Sequence, residues 1–252
     1  MDYASETSLN QKAVMFTNKV IDSLIFILLL LGILYAGYAL WDSYDLNNRE
    51  KLSHDAMMAY KPSAGSGASY TLLDAMTINP DVIAWLEIDN TQIDYLVVQG
   101  EDNMYYLNKD AFKNYSIAGA LFLDYRNASD FTDFNSIVFG HNMKNGSMFG
   151  DLKKFKDKKF FSENTSGTLY LLEETHRLEI FAYLTVNAYG SMVFKTNMTT
   201  EDSQMAYLDY LCKNAVNYRD IGLSTDDRLL TMSTCAGDFT NARSILVARI
   251  CD

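Results

Sequence analysis

Two hydrophobic rhythms divide this chain. From Ser23 to Leu40 no residue is charged, and most positions are Leu, Ile, Phe, Tyr, Ala or Gly. Such a run lies near the lower length limit for a helix that spans a bilayer. Val20, Ile21 and Trp41 extend it, although Asp22 interrupts it, and Tyr35, Tyr38 and Trp41 suit the aromatic belt of a membrane interface. A cleavable signal peptide would have a shorter apolar core followed by a small-x-small site, whereas bulky Leu40-Trp41 follow Ala36 and Ala39 here. The pattern favours an uncleaved anchor over residues 20–41, with residues 1–19 as a cytoplasmic tail. Lys12 and Lys19 before the span are nearly balanced by Arg49 and Lys51 after it, so basic residues barely orient the helix. Residues 42–60 read as a juxtamembrane helix and 61–69, rich in Ser, Gly and Ala, as a linker. The segment 42–69 thus joins the anchor to a folded domain over 70–252.

Past Tyr70 the apolar runs become short. Residues 70–78 predict a short helix closed by Asn79-Pro80. Eight strand-like runs follow, rich in β-branched and aromatic residues: 84–88, 93–99, 118–123, 136–139, 168–172, 178–186, 228–234 and 244–250. Asp89-Asn90 marks a hairpin-type turn between the first two. One clear helix, near 200–217, interrupts the series between runs six and seven. Thr199-x-x-Asp202 resembles its capping box, and Met205, Leu208, Cys212, Ala215 and Val216 recur at helical spacing. Cys212 on that apolar face reads as a buried small hydrophobe. Eight strands with few helices predict a mainly β fold, a closed or nearly closed eight-stranded barrel preceded by an N-terminal transmembrane helix.

Charge narrows the function. A net charge of −11 and an isoelectric point near 4.7 argue against nucleic acid as a partner. The local run Lys153, Lys154, Lys156, Lys158 and Lys159, offset by Asp151 and Asp157, reads as a solvated face. Three cysteines, Cys212, Cys235 and Cys251, do not make a disulfide framework. No His/Cys/Asp/Glu cluster has a zinc spacing and no glycine loop cradles phosphate, so neither metal nor other cofactor is expected.

The candidate chemistry lies at strand ends. His54 falls in the juxtamembrane segment, and His176, in Glu-Glu-Thr-His-Arg, is expected to be exposed in a polar turn. His141 instead follows an apolar strand and Gly140, then precedes Asn142 and a loop. Cys235 has the same placement: Leu229-Leu230-Thr231-Met232-Ser233-Thr234 ends at the thiol, with Gly237 and Asp238 beyond it. Arg243 opens the last strand, so Cys235 and Arg243 flank one short loop. A thiol, an imidazole and a guanidinium that converge are the parts of nucleophilic acyl transfer. Reference acidities for independent Cys and His give roughly 3% thiolate and 24% imidazolium at pH 7, a product under about 1%. Either the site moves both acidities or a small fraction of molecules is active at a time.

These residues, with their flanks, resemble the sortases, and within them class B. Asp124-Tyr125-Arg126-Asn127, Ile137-Val138-Phe139-Gly140-His141-Asn142-Met143 and Gly146-Ser147-Met148-Phe149 look like the class B histidine region. Asn79-Pro80-Asp81-Val82-Ile83-Ala84-Trp85-Leu86 looks like its opening strand. Thr231-Met232-Ser233-Thr234-Cys235 is similar to the family's Thr-Leu-x-Thr-Cys signature, with Met232 for the commoner leucine, and Arg243 matches the downstream arginine. Phe139 stands where many class B members have tyrosine, which removes a hydroxyl near the histidine. An Asp-Pro-aromatic lid motif is absent, which argues against the class C pilin polymerases.

The resemblance implies a sortase-type barrel with the longer helix between strands six and seven. It implies Cys235 as nucleophile, His141 as proton-transfer partner and Arg243 as electrostatic support, with Asn142, Ser233 and Thr234 expected to line the substrate site. The implied partners are secreted proteins with a C-terminal sorting signal, a cell-wall precursor or pilin amine as acceptor, and the lipid bilayer through the N-terminal helix. The domain would be extracytoplasmic on a single-pass membrane protein. Two other readings use the same residues: a membrane-anchored cysteine peptidase that releases product to water, and a non-catalytic envelope-binding domain. An L,D-transpeptidase would place a histidine beside the cysteine, where Thr234 stands.

Overall fold

A computed structural model describes residues 3–62, 69–237 and 240–251. The chain forms two compact units, Met1–Arg49 and Glu50–Asp252. Helix α1, Tyr3–Met58, runs from the first into the second. Its stretch Val14–Asp45 is long and apolar enough to cross a membrane, and every side chain from Val14 to Tyr44 is exposed. The apolar stretch and the residues expected to form a juxtamembrane helix thus belong to one helix, α1.

The second unit begins at Glu50, not near Tyr70, because the last turns of α1 pack on the barrel. Met57 is buried and its sulfur accepts the Leu96 N–H at 3.1 Å. Ser53 donates to Asp110 at 3.0 Å, and the His54 ring lies 4.7 Å from that of Tyr95. Just after the helix, Lys61 reaches Asp94 at 2.7 Å and Glu87 at 3.1 Å. Most of the expected linker, residues 63–68, lies outside the described residues.

Helix α2, Ser69–Ile78, leads through Asn79-Pro80 into β1 (Val82–Ile88) and β2 (Asp94–Val98). Asn90, at φ 60°, takes the left-handed conformation that their tight turn requires. Then come β3 (Leu121–Leu123), β4 (Asn135–Phe139), helix α3 (Lys158–Glu163), β5 (Ser166–Tyr170) and β6 (Thr175–Asn187). Helix α4 (Glu201–Asn214) precedes β7 (Asn217–Tyr218), β8 (Arg228–Cys235) and β9 (Ala242–Cys251). The order β5-β1-β2-β3-β4-β8-β9-β6 closes on itself through β5–β6, giving a closed eight-stranded barrel. Two-residue β7, which starts at the last residue of the span assigned to helix by sequence, adds only to the outside of β6.

Strands β8 and β9 are buried on both faces, so their pattern is continuous rather than alternating. Leu230, Met232, Leu246 and Ala248 join the core cluster that holds Trp85 and Leu96; Met232 fills its space there as leucine would. Leu229, Ile245 and Val247 face the opposite way, into a second cluster with Tyr207 and Leu211 of α4. A bulge between Ile180 and Ala182 resets the parity of β6, so that Phe181 and Leu184 reach that second cluster while Tyr183 stays in the first.

Three expectations need correction. The cap of α4 is Thr200 with Ser203, one residue beyond the expected pair. Its buried face is Tyr207 and Leu211, so Cys212 is exposed, as are Met205 and Val216. Tyr207 turns inward because its hydroxyl meets Thr231 Oγ1 at 3.1 Å, and Thr231 donates to Asn135 Oδ1 at 2.7 Å. Finally, His176 is buried: the β5–β6 hairpin places its Nδ1 3.2 Å from the Cys251 carbonyl and its Nε2 3.1 Å from Glu174.

Candidate active site

Register brings the three distant residues together. In β8 and β9, Cys235 is the direct antiparallel partner of Arg243. Directly opposed residues sit about 5 Å apart, close enough for the guanidinium to fold over the thiol. Arg243 Nη1 donates to Cys235 Sγ at 3.0 Å, and Cys235 is exposed. Beyond the pair, Ala236 N–H donates to the Ala242 carbonyl at 2.9 Å and closes the connection. Asp238 lies outside the described residues.

His141 arrives on the other side of β8. Strands β4 and β8 are parallel, with Phe139 paired to Ser233. His141 is two residues past Phe139 and Cys235 is two past Ser233, so they exit at one level on neighbouring strands. Neighbouring strands are about 4.8 Å apart. The alignment continues past the last paired residues: Gly140 N–H donates to Ser233 O at 3.2 Å, and Asn142 Nδ2 donates to Cys235 O at 2.8 Å. Asn142 thus fixes the backbone that carries the thiol.

Ser233 and Thr234, expected to line the substrate site, are both buried, and their hydroxyls have no hydrogen-bond partner. The structure brings their backbone to the site but turns these hydroxyls away from solvent.

The wall beside β4 is aromatic. Phe139 lies between Phe122 at 5.5 Å and Phe194 at 6.3 Å, the latter nearly parallel. Phe194 belongs to the β6–α4 connection, which is pinned to the barrel by two polar side chains, buried Asn135 and exposed Arg126. Asn135 Nδ2 donates to the carbonyls of Val193 at 3.3 Å and Lys195 at 2.9 Å. Arg126 donates to Phe194 O at 3.2 Å while pairing with Asp124 through both Nε and Nη2. Burial of Asp124 disfavours its charge, but the Arg126 bonds outweigh this and hold its carboxyl below the usual range.

Sequence reasoning missed the polar contact on the histidine, the Leu107 carbonyl at 2.8 Å from His141 Nε2. A backbone carbonyl has no sequence signature, and nothing in the sequence could have found it; the structure places it on a 3₁₀ turn, Tyr105–Asn108. Among the described residues no group of three or more His, Cys, Asp or Glu could hold a metal ion.

Comparison with known proteins agrees with this geometry. The Sortase domain family matches residues 86–250. Sortase B of Listeria monocytogenes is 31% identical over 233 residues, covering 88% of this chain and 94% of that protein. A mutant form of Clostridium perfringens sortase B superposes with a TM-score of 0.74 at 34% identity, covering 79% of this chain and 96% of that one. A Streptococcus pyogenes class B sortase involved in pilus biogenesis gives a TM-score of 0.65 at 34% identity, covering 70% and 96%.

Proposed function

This chain belongs to the sortase family, in its class B, and on that premise we propose that it cleaves sorting signals of secreted proteins through a thioester on Cys235 and transfers the acyl group to an amine. The observation that carries the reading is exposed Cys235, its sulfur 3.0 Å from Arg243, at the end of the strand beside the one that leads into His141. The Cys235 thiolate attacks the scissile carbonyl carbon, and the electron pair moves to the carbonyl oxygen. Collapse breaks the C–N bond, and His141 gives the leaving amine its proton. The acceptor amine then attacks the thioester and passes a proton to His141, and the C–S bond breaks to restore the thiolate. Arg243 stays beside the attacking sulfur and moves its bond to the developing oxyanion, where a fixed donor contributes most.

The acceptor is a cell-wall precursor or a pilin amine; the relative from Streptococcus pyogenes takes part in pilus biogenesis. Residues 1–19 lie in the cytoplasm, 20–41 cross the membrane once, and the barrel works outside, where both substrates are. Asn142 holds the substrate-facing end of β8 in place.

The test is product partition by the full chain in detergent, using sorting peptides with and without an added amine. Amide product that grows with amine concentration supports transfer. Hydrolysis that no amine acceptor alters supports a peptidase instead, and full turnover by Cys235→Ala supports neither.

A further inference from the structure

The Asn79-Pro80 motif and the turn at Tyr105–Asn108 lie far from Cys235 in sequence, yet the first holds the second and the second touches His141. A carbonyl oxygen only accepts, so the 2.8 Å contact with Leu107 O puts the proton on His141 Nε2. Nδ1 is then the ring nitrogen left to exchange protons. The position of one carbonyl therefore selects the tautomer.

That carbonyl sits on a 3₁₀ turn, Tyr105–Asn108, whose core member is Tyr106, 1% exposed. The Tyr106 hydroxyl donates to Asp81 Oδ2 at 2.6 Å and accepts from Asn79 Nδ2 at 2.9 Å. Asn79 also donates to Ala111 O at 2.8 Å and accepts the Asp81 N–H at 3.0 Å. Lys113 completes the set at 2.9 Å from Asp81. From the other side, Ala120 N–H donates to Tyr106 O at 3.1 Å. Burial and the Asp81 carboxylate push the Tyr106 phenol far above its ordinary range, so it remains a donor.

Gly119 lets ring and carbonyl meet. It sits at φ +64°, and a Cβ there would lie 2.7 Å from Tyr106 O, 2.9 Å from Leu107 O and 3.1 Å from His141 Cδ2. No L side chain fits without moving the carbonyl or the imidazole.

We propose that Tyr106 is a positioning residue for acyl transfer: through the Leu107 carbonyl it holds His141 as the Nε2–H tautomer and leaves Nδ1 to serve the leaving and incoming amines. The proposal rests on His141 being the acid–base group, but its test does not. The chain has three histidines, so selective isotopic labelling of histidine in the full chain in detergent gives three imidazoles, with His141→Gln assigning one. Nitrogen shifts of the neutral ring report the tautomer without turnover. Wild-type His141 is Nε2–H, and Tyr106→Phe and Gly119→Ala each give a tautomer mixture, while His54 and His176 keep their wild-type signals. In the peptide assay Tyr106→Phe lowers kcat about 10–100-fold at near-constant KM, as small misplacements of catalytic groups do. A wild-type Nδ1–H tautomer overturns the proposal. So does a Tyr106→Phe protein that keeps the Nε2–H tautomer, whatever its stability. Wild-type turnover by His141→Gln would instead sink the acid–base reading and leave the tautomer result standing.

Discussion

Cys235 at the barrel mouth and Cys212 on α4 are both exposed, and they differ in everything around the sulfur. Cys235 ends a strand that is buried from Leu229 to Thr234, opposite Arg243 and level with His141. Cys212 sits on the outer side of a surface helix, beside Lys213 and one residue past buried Leu211. Exposure alone makes a thiol available to solvent. A nucleophile also needs a fixed donor, a proton acceptor and a backbone that does not yield, and in the proposed mechanism Arg243, His141 and the paired end of β8 supply these to Cys235.

The largest expected effect separates the two sites outright. Cys235→Ala abolishes cleavage and transfer, by at least ~10⁴-fold, because no other group takes over the covalent step. Cys212→Ala leaves both rates at wild type, measured in the same peptide assay. Next, His141→Gln lowers kcat by roughly 10²–10⁴-fold, the range for a lost acid–base group. Arg243→Lys keeps the charge but loses the planar fork, and costs about 10²–10³-fold in kcat. A loss confined to KM would assign Arg243 to ground-state binding.

Smaller effects probe the scaffold of the helix site. Thr231→Val leaves buried Tyr207 and Asn135 without their shared hydroxyl and lowers unfolding free energy by about 1–3 kcal/mol, read from urea titration. Activity per folded molecule stays near wild type. The smallest effect concerns pH. Asp124 has a folded-state acidity below the usual carboxylate range, so the folded protein resists its protonation. Its contribution is present above the unfolded-state value and is lost as pH falls through the lower folded one. Asp124→Asn flattens that acid limb of the stability curve, seen as a smaller drop in thermal midpoint between pH 5 and pH 3.

The same two regions explain what was legible in the sequence. Strand runs such as Leu229–Thr234 and Ser244–Ile250 are rich in β-branched and large apolar residues, so all eight barrel strands could be read. Their ends placed Cys235, His141 and Arg243 without coordinates. On α4 the pattern was ambiguous. Met205, Leu208 and Cys212 compete with Tyr207 and Leu211 for the inner face, and a phenol counts as polar until Thr231 is seen to satisfy it. His176 misled for a similar reason: its neighbours in sequence are charged, but its partner is the carbonyl of Cys251, 75 residues away. The Leu107 carbonyl left no trace at all, being backbone. Sequence thus discloses groups placed by regular strand register and conceals those placed by long-range backbone contacts.

The most direct measurement is acid-quenched trapping of the acylated full chain with sorting peptides, followed by mass mapping of the modified residue. The account predicts a thioester on Cys235, formed by wild type and by Cys212→Ala alike. An adduct carried by Cys212 or Cys251, or a Cys235→Ala protein that still acylates, would contradict it.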